Sequence, residues 1–83
     1  MNAEEFTVTL KKSITGQLGF RINLNGTILD IRSGSPVDVD GNIEIGDTLI
    51  QINNKNISPE DGIIDLLRNL DQNNTFTFKR LIR

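Results

Sequence analysis

The sequence predicts a mainly β domain of the α+β class, in which about five or six strands form a partly open barrel or sandwich with one short and one longer helix. Apolar and polar residues alternate in several short segments, which is the period of a strand with one buried face. Glycine- and asparagine-containing turns separate these segments at short intervals. With 83 residues, the chain fits a single domain over 1–83, with residues 1–4 expected to be a disordered lead-in.

The first half of the chain predicts three strands and one helical turn. Phe6, Val8 and Leu10 alternate with polar residues, and Asn25-Gly26 is a strong signal for a two-residue hairpin turn. Pro36 suits the first position of a short helix. The predicted segments are strands over 6–11, 20–24 and 27–31 and a helical turn over 35–40, closed by Gly41.

The second half predicts two more strands, over 48–53 and 75–79, with a tight turn at Asn53-Asn54 between the first of them and the longer helix. That helix is expected to run from Pro59 to about Asn69, with Ser58 as its N-cap. Its apolar residues cover a wide arc, which indicates contact with two neighbours. Those residues are Ile63, Ile64, Leu66, Leu67 and Leu70. Ile64 and Leu67 are predicted to form the floor of a groove. Glu60 either lies at the upper end of this groove or only stabilises the positive end of the helix.

The segment Leu18-Gly19-Phe20 opens directly onto the second predicted strand. A bend that contains glycine leaves consecutive backbone N–H groups pointing outward, and such a nest can hold an anion. The strand that follows can accept an added peptide strand. The segment is therefore either a binding site for an anionic, extended ligand or only a turn.

Composition excludes several classes of function. A net charge of −2 argues against a nucleic-acid partner. The chain has no His and no Cys, so the commonest general base and thiolate nucleophile are absent; we expect no catalysis, no cofactor and no metal. The lack of Cys fits a reducing, cytoplasmic location, with the membrane periphery reached only through partners. Basic clusters at Lys11-Lys12 and at Lys79-Arg80 with Arg83 are either solvated strand ends or a weak attraction to anionic lipid.

These residues together resemble a PDZ domain with the animal-type, non-permuted strand order, over about Phe6 to Lys79. Leu18-Gly19-Phe20 is similar to the carboxylate loop of that family, and Gly34-Ser35-Pro36 is similar to the segment before its short helix. The run from Gly46 to Asn53 is similar to the family's Gly-Asp-x-Ile-Leu-x-Val-Asn.

The resemblance implies a non-catalytic scaffold or signalling module that binds the free C-terminal carboxylate and last few residues of partner proteins. The ligand would add as a strand between the second strand and the second helix, with its last side chain in a hydrophobic pocket. The partners implied are C-terminal peptides of other proteins that end in Val, Leu or Ile, and the domain itself is expected to be monomeric. The implied peptide-binding residues are Leu18, Gly19, Phe20, Arg21, Ile22, Asn23, Glu60, Ile64 and Leu67.

Three positions depart from the family pattern. Gln17 precedes Leu18 where the family has glycine, and Ser13 falls where a cation is common. Glu60 takes the place of a frequent His, which implies a hydroxyl-bearing or basic residue at the third-from-last ligand position. Two alternatives stay open: the same fold used for homodimerisation or for internal motifs, and a weak adaptor for anionic lipid surfaces.

Overall fold

The computed structural model describes residues 2–11, 18–68 and 70–82. Within these residues the chain forms six strands, two short α-helices and one 3₁₀ turn, which confirms the predicted α+β class. In chain order they are β1 (Asn2–Lys11), β2 (Phe20–Ile22), β3 (Ile28–Ile31), α1 (Pro36–Asp40), β4 (Thr48–Ile52), β5 (Lys55–Asn56), the 3₁₀ turn (Pro59–Asp61), α2 (Ile63–Arg68) and β6 (Asn73–Ile82). The predictions made for Lys12, Ser13, Gln17, Asn69 and Arg83 lie outside the described residues.

The strands form two antiparallel sheets. The larger has the order β1-β6-β4-β5, and the smaller consists of β2 and β3. An isolated bridge between Thr27 and Thr48 connects the two sheets at one corner. This arrangement leaves β2 at the edge of its sheet.

The core lies between the two sheets and is built on the alternation that the sequence predicts. Val8 and Leu10 of β1 are buried and lie opposite Phe76 and Asn74 of β6. Phe76 and Phe78 have no solvent exposure. The other buried apolar residues of the described chain are Leu18, Ile28, Val37, Ile43, Leu49, Ile52 and Ile63. A core of this kind fixes which face of each strand points inward.

The long hairpin of β1 and β6 differs from the expectation at both ends. Residues 2–4, expected to belong to a disordered lead-in, are instead the start of β1 and pair with residues 80–82 of β6. The strand β6 extends beyond the predicted 75–79, and β5 is an additional short strand that pairs with β4. These additions depend on hydrogen bonds to a partner strand, and the local sequence pattern gives no sign of that partner.

The two-residue hairpin predicted at Asn25-Gly26 is wrong, because β2 ends earlier, at Ile22. The Asn23 side chain organises a longer turn: its Oδ1 accepts the N–H groups of Asn25 and Thr27, each at 2.9 Å. The Gly26 N–H also donates to the Asn23 carbonyl at 3.0 Å. An asparagine that bonds its own backbone in this way mimics a turn and takes the place of a strand residue.

Two other turn predictions are confirmed. The helix α1 begins at Pro36, with Ser35 as N-cap accepting the Asp38 N–H at 3.3 Å, and it ends at the left-handed Gly41. Asn53 and Asn54 adopt φ angles of 51° and 68°, as a tight turn between β4 and β5 requires.

The single helix predicted from Pro59 is wrong. Residues Pro59–Asp61 form a 3₁₀ turn, Gly62 has a φ of 70°, and only then does α2 begin. A left-handed residue cannot lie inside a right-handed α-helix, so Gly62 separates the two segments. At the start of the 3₁₀ turn, the Ser58 N–H donates to Asp61 Oδ2 at 2.8 Å. Consequently α2 has six residues, only one more than α1, and Glu60 is not part of it.

Candidate functional site

The loop before β2 is held from two sides. The Leu18 carbonyl accepts the N–H of Val37 in α1 at 3.2 Å, and the Gly19 carbonyl accepts the N–H of Arg32 at 2.7 Å. Gly19 has a φ of 97°, and a Cβ at this position would overlap with the Ser35 side chain. Only glycine therefore permits both this backbone conformation and this close approach to α1.

The strand β2 presents one open main-chain edge. Within the described residues it pairs only with β3, where Arg21 lies opposite Asp30. Backbone hydrogen bonds at positions 19 and 23 show that the odd-numbered residues face β3. Since the bonding direction alternates along an antiparallel strand, the N–H and C=O groups of Phe20 and Ile22 point to the opposite, open edge.

A cavity of about 640 Å³ lies between β2 and α2. Its apolar lining comes from the loop, β2 and α2, and consists of Leu18, Phe20, Ile22, Ile64 and Leu67. The Phe20 ring is in edge-to-face contact with Phe76, at 6.5 Å between ring centroids, which fixes one wall against the core. A concave apolar site beside an open strand edge can take an aliphatic side chain while the edge pairs with its backbone.

The structure brings together most of the residues that the sequence predicts for the site. Leu18, Gly19, Phe20, Arg21, Ile22, Ile64 and Leu67 all line the cavity, whereas Asn23 and Glu60 are outside its lining. Asn23 is engaged in the turn after β2. Glu60 is exposed in the 3₁₀ turn, and its carboxylate accepts a hydrogen bond from the Ser58 hydroxyl at 2.7 Å.

The sequence analysis missed three charged residues that line the cavity: Asp30, Arg32 and Arg68. Arg68 is the last residue of α2 and forms an exposed ion pair with Asp65 at 3.8 Å. Asp30 and Arg32 come from β3 and the residue that follows it. A signal for Asp30 was present, because the predicted hairpin already places position 30 opposite position 21.

Arg80, which the sequence analysis placed in a basic cluster, has a structural role. Its guanidinium donates to both carboxylate oxygens of Asp47, at 2.8 and 2.7 Å, and to the Asn42 carbonyl at 2.7 Å. It also lies over the Phe6 ring, 4.6 Å from the centroid. The hydrogen bond to Asp47 raises the pKa of Arg80. Of the proposed lipid-binding cluster, only Lys11 and Lys79 then remain among the described residues.

In the part of the chain that the structure describes, no helix is long and apolar enough to cross a membrane. No group of three or more acidic side chains within that part is placed to hold a metal ion.

Comparison with known proteins agrees with this architecture. The family model of the PDZ domain matches residues 7–71, which is more than half of the 83-residue chain. A search of curated proteins gives no match. PDZ domains are protein-interaction modules, and their partners are generally bound through C-terminal peptides. The match runs from within β1 to just past α2, so it includes the cavity between β2 and α2 but not β6, and the chain belongs to the PDZ domain family.

Proposed function

We propose that this domain binds the free C-terminal carboxylate and the last few residues of partner proteins, by strand addition along the open edge of β2. The proposal is carried by the position of the loop and the strand edge relative to the cavity. The loop at Leu18 and Gly19 leads directly into the open edge at Phe20 and Ile22, and both border the same apolar cavity. Backbone pairing and side-chain recognition would therefore act on the same short peptide.

The carboxylate would be held by the loop. Among the described residues, no hydrogen bond uses the N–H of Leu18 or Gly19, and the N–H of Phe20 points to the open edge of β2. Hydrogen bonds to a carboxylate are roughly twice as strong as neutral ones. Three N–H groups in succession give the peptide terminus a preferred position without a cationic side chain.

The last ligand side chain would enter the apolar cavity. Burying a Val, Leu or Ile there contributes about 1.5 to 3 kcal/mol. A short peptide loses translational and conformational freedom on binding, so we expect a dissociation constant on the order of 1 μM or weaker.

The proposed preference for a hydroxyl-bearing or basic residue at the third-from-last ligand position rests on Glu60. In the structure Glu60 is outside the cavity lining and bonds Ser58. The preference stays a prediction that draws on the sequence resemblance alone, and exchanging Thr for Lys or Asp at that ligand position tests it.

The decisive experiment compares a fluorescent peptide that ends in Val, with Thr at the third-from-last position, with its C-terminally amidated twin. Binding near 1 μM that weakens at least about tenfold on amidation would support carboxylate capture, since amidation removes the charge that the loop is expected to hold. Equal binding of the two peptides would contradict it and favour internal motifs.

A matched pair of variants locates the site. Leu67→Asp places a charge in the cavity, and Leu81→Asp makes the same change at an exposed position of β6, outside the cavity lining. We expect only the first to abolish peptide binding. Size-exclusion chromatography of the free domain distinguishes the expected monomer from a homodimer.

A further inference from the structure

Arg21, Asp30 and Arg32 lie on one face of the β2–β3 sheet, at the rim of the cavity. Arg21 is the register partner of Asp30, and Arg32 bonds the Gly19 carbonyl one step further along the ladder. Since side chains alternate between the two faces of a strand, all three share the face opposite to Phe20. All three are exposed and border the cavity.

This face carries an excess of positive charge on a protein whose net charge is −2. Two guanidinium groups flank one carboxylate, and Arg68 adds a further cation across the cavity, although the nearby Asp65 partly balances it. One oxygen of the Asp30 carboxylate, Oδ1, is engaged by its own strand, since it accepts the N–H of Ile31 at 3.0 Å. The rim therefore favours a negative group on a ligand that passes over it.

The strand geometry tells which ligand residue passes over this face. In an added strand, neighbouring side chains point to opposite faces. If the last side chain enters the cavity beside Phe20 and Ile22, the penultimate side chain lies over Arg21 and Arg32. We propose, on the basis of the proposed function, that the groove selects an acidic residue at the penultimate position through Arg21 and Arg32.

The test uses peptides that end in Val and differ only at the penultimate position, which is Glu, Gln or Lys. We expect Glu to bind about fivefold more tightly than Lys at low ionic strength, in the range of partly exposed charge pairs. Gln should lie between them. The ratio should fall toward one in about 1 M salt, where the screening length is about 3 Å.

Three variants assign the effect to this face. Arg21→Gln and Arg32→Gln should each reduce the Glu-to-Lys ratio, and Asp30→Asn should increase it. Lys55→Gln removes the same charge from an exposed residue of β5 outside the cavity lining, and it should leave the ratio unchanged. Circular dichroism checks that each variant is folded.

The outcomes separate the two proposals. A ratio near one in the unmodified domain, with amidation still weakening binding, overturns the acidic preference alone. A clear ratio that survives both arginine variants overturns the assignment to these residues. Equal binding of free and amidated peptides overturns the proposed function and this inference together.

Discussion

Gly19 combines two requirements at a single residue: a left-handed backbone and the absence of a Cβ next to Ser35. Gly19→Ala adds backbone strain of about 1–2 kcal/mol and a steric overlap that costs about 1–3 kcal/mol more. We therefore expect the free energy of unfolding to fall by about 2–5 kcal/mol, as measured by urea denaturation.

Gly34→Ala is the matched control for this substitution. Gly34 has a φ of 79°, but no atom lies within 4 Å of the position that its Cβ would take. In the control, the free energy of unfolding should therefore fall only by the cost of backbone strain, about 1–2 kcal/mol. Equal losses for the two variants would contradict the close approach of the loop to Ser35.

Asp47, which the sequence shows only as part of the run from Gly46 to Asn53, forms several structural hydrogen bonds. It is 2% exposed, it bonds the Arg80 guanidinium through both oxygens, and its Oδ2 accepts the Glu44 N–H at 2.8 Å. Asp47→Asn removes the charge from this pair while keeping the shape. We expect a loss of about 2–3 kcal/mol by thermal denaturation, below the 3–5 kcal/mol of fully buried pairs because Arg80 keeps some solvent contact.

Asp65→Asn provides the comparison at an exposed ion pair. The side chains of Asp65 and Arg68 are 81% and 75% exposed, with 3.8 Å between their nearest atoms. Such pairs contribute at most about 1 kcal/mol, so this variant should unfold close to the temperature of the unmodified domain. A larger loss here than at Asp47 would contradict the central role assigned to the Arg80 pair.

The residues of the candidate site were predictable to the extent that strand alternation determines them. Phe20 and Ile22 share one face by period, and the structure places both at the cavity, whereas Leu18 lies in the loop before β2 and was assigned from the family resemblance. Arg32 and Arg68 were missed, because a position at a rim depends on how two distant segments pack together. A surface arginine in a sequence gives no information about such packing.

At the scale of elements, the break at Gly62 decides the shape of the α2 region. Apolar spacing continues from position 63 onward and gives no sign that the preceding residues leave the helix. Ser58-Pro59 is a sound start signal, but it starts a 3₁₀ turn that Gly62 ends with a φ of 70°. Periodicity reports which faces are apolar, whereas a glycine's φ is set by tertiary contacts.

Gly62→Ala tests the interruption through the sign of its effect. In a continuous helix, Ala in place of Gly would stabilise by about 1 kcal/mol. At a left-handed position Ala is strained by about 1–2 kcal/mol, and the added Cβ meets Asp65 only at an ordinary 3.6 Å. We expect a net loss of about 1 kcal/mol in urea denaturation. A gain in stability would show that α2 begins before Gly62.

The ends of β1 and β6 are a second case in which the local sequence pattern does not predict the structure. Residues 2–4 are polar or small and give no alternation that predicts a strand, yet each has a partner in β6. Cross-strand pairs of this kind contribute about 0.2–1 kcal/mol each. The strand ends therefore depend on the partner strand, while its centre depends on the buried Val8 and Leu10.

For the molecule as a whole, the groove is formed by three segments, and each of them is held in place by different contacts. The loop is fixed by α1, β2 by its pairing with β3, and the floor by α2 against the core. A ligand that contacts all of them stabilises the folded state only, since the unfolded chain has no groove. Binding and global stability should therefore be linked.

The expected linkage is large enough to measure by calorimetry. At a peptide concentration about 100 times the dissociation constant, binding adds about 2.7 kcal/mol to the free energy of unfolding. Since a domain of this size gains about 4–8 °C per kcal/mol, a Val-terminated peptide should raise the Tm by about 10–20 °C. The amidated twin binds at least about tenfold more weakly, so at the same concentration it should add at most about 1.4 kcal/mol and raise the Tm by at most about 5–10 °C. If both raise the Tm equally, the groove recognises the peptide chain rather than its carboxylate, because a shift that depends on the loop at Leu18 and Gly19 must become smaller when the terminal charge is removed.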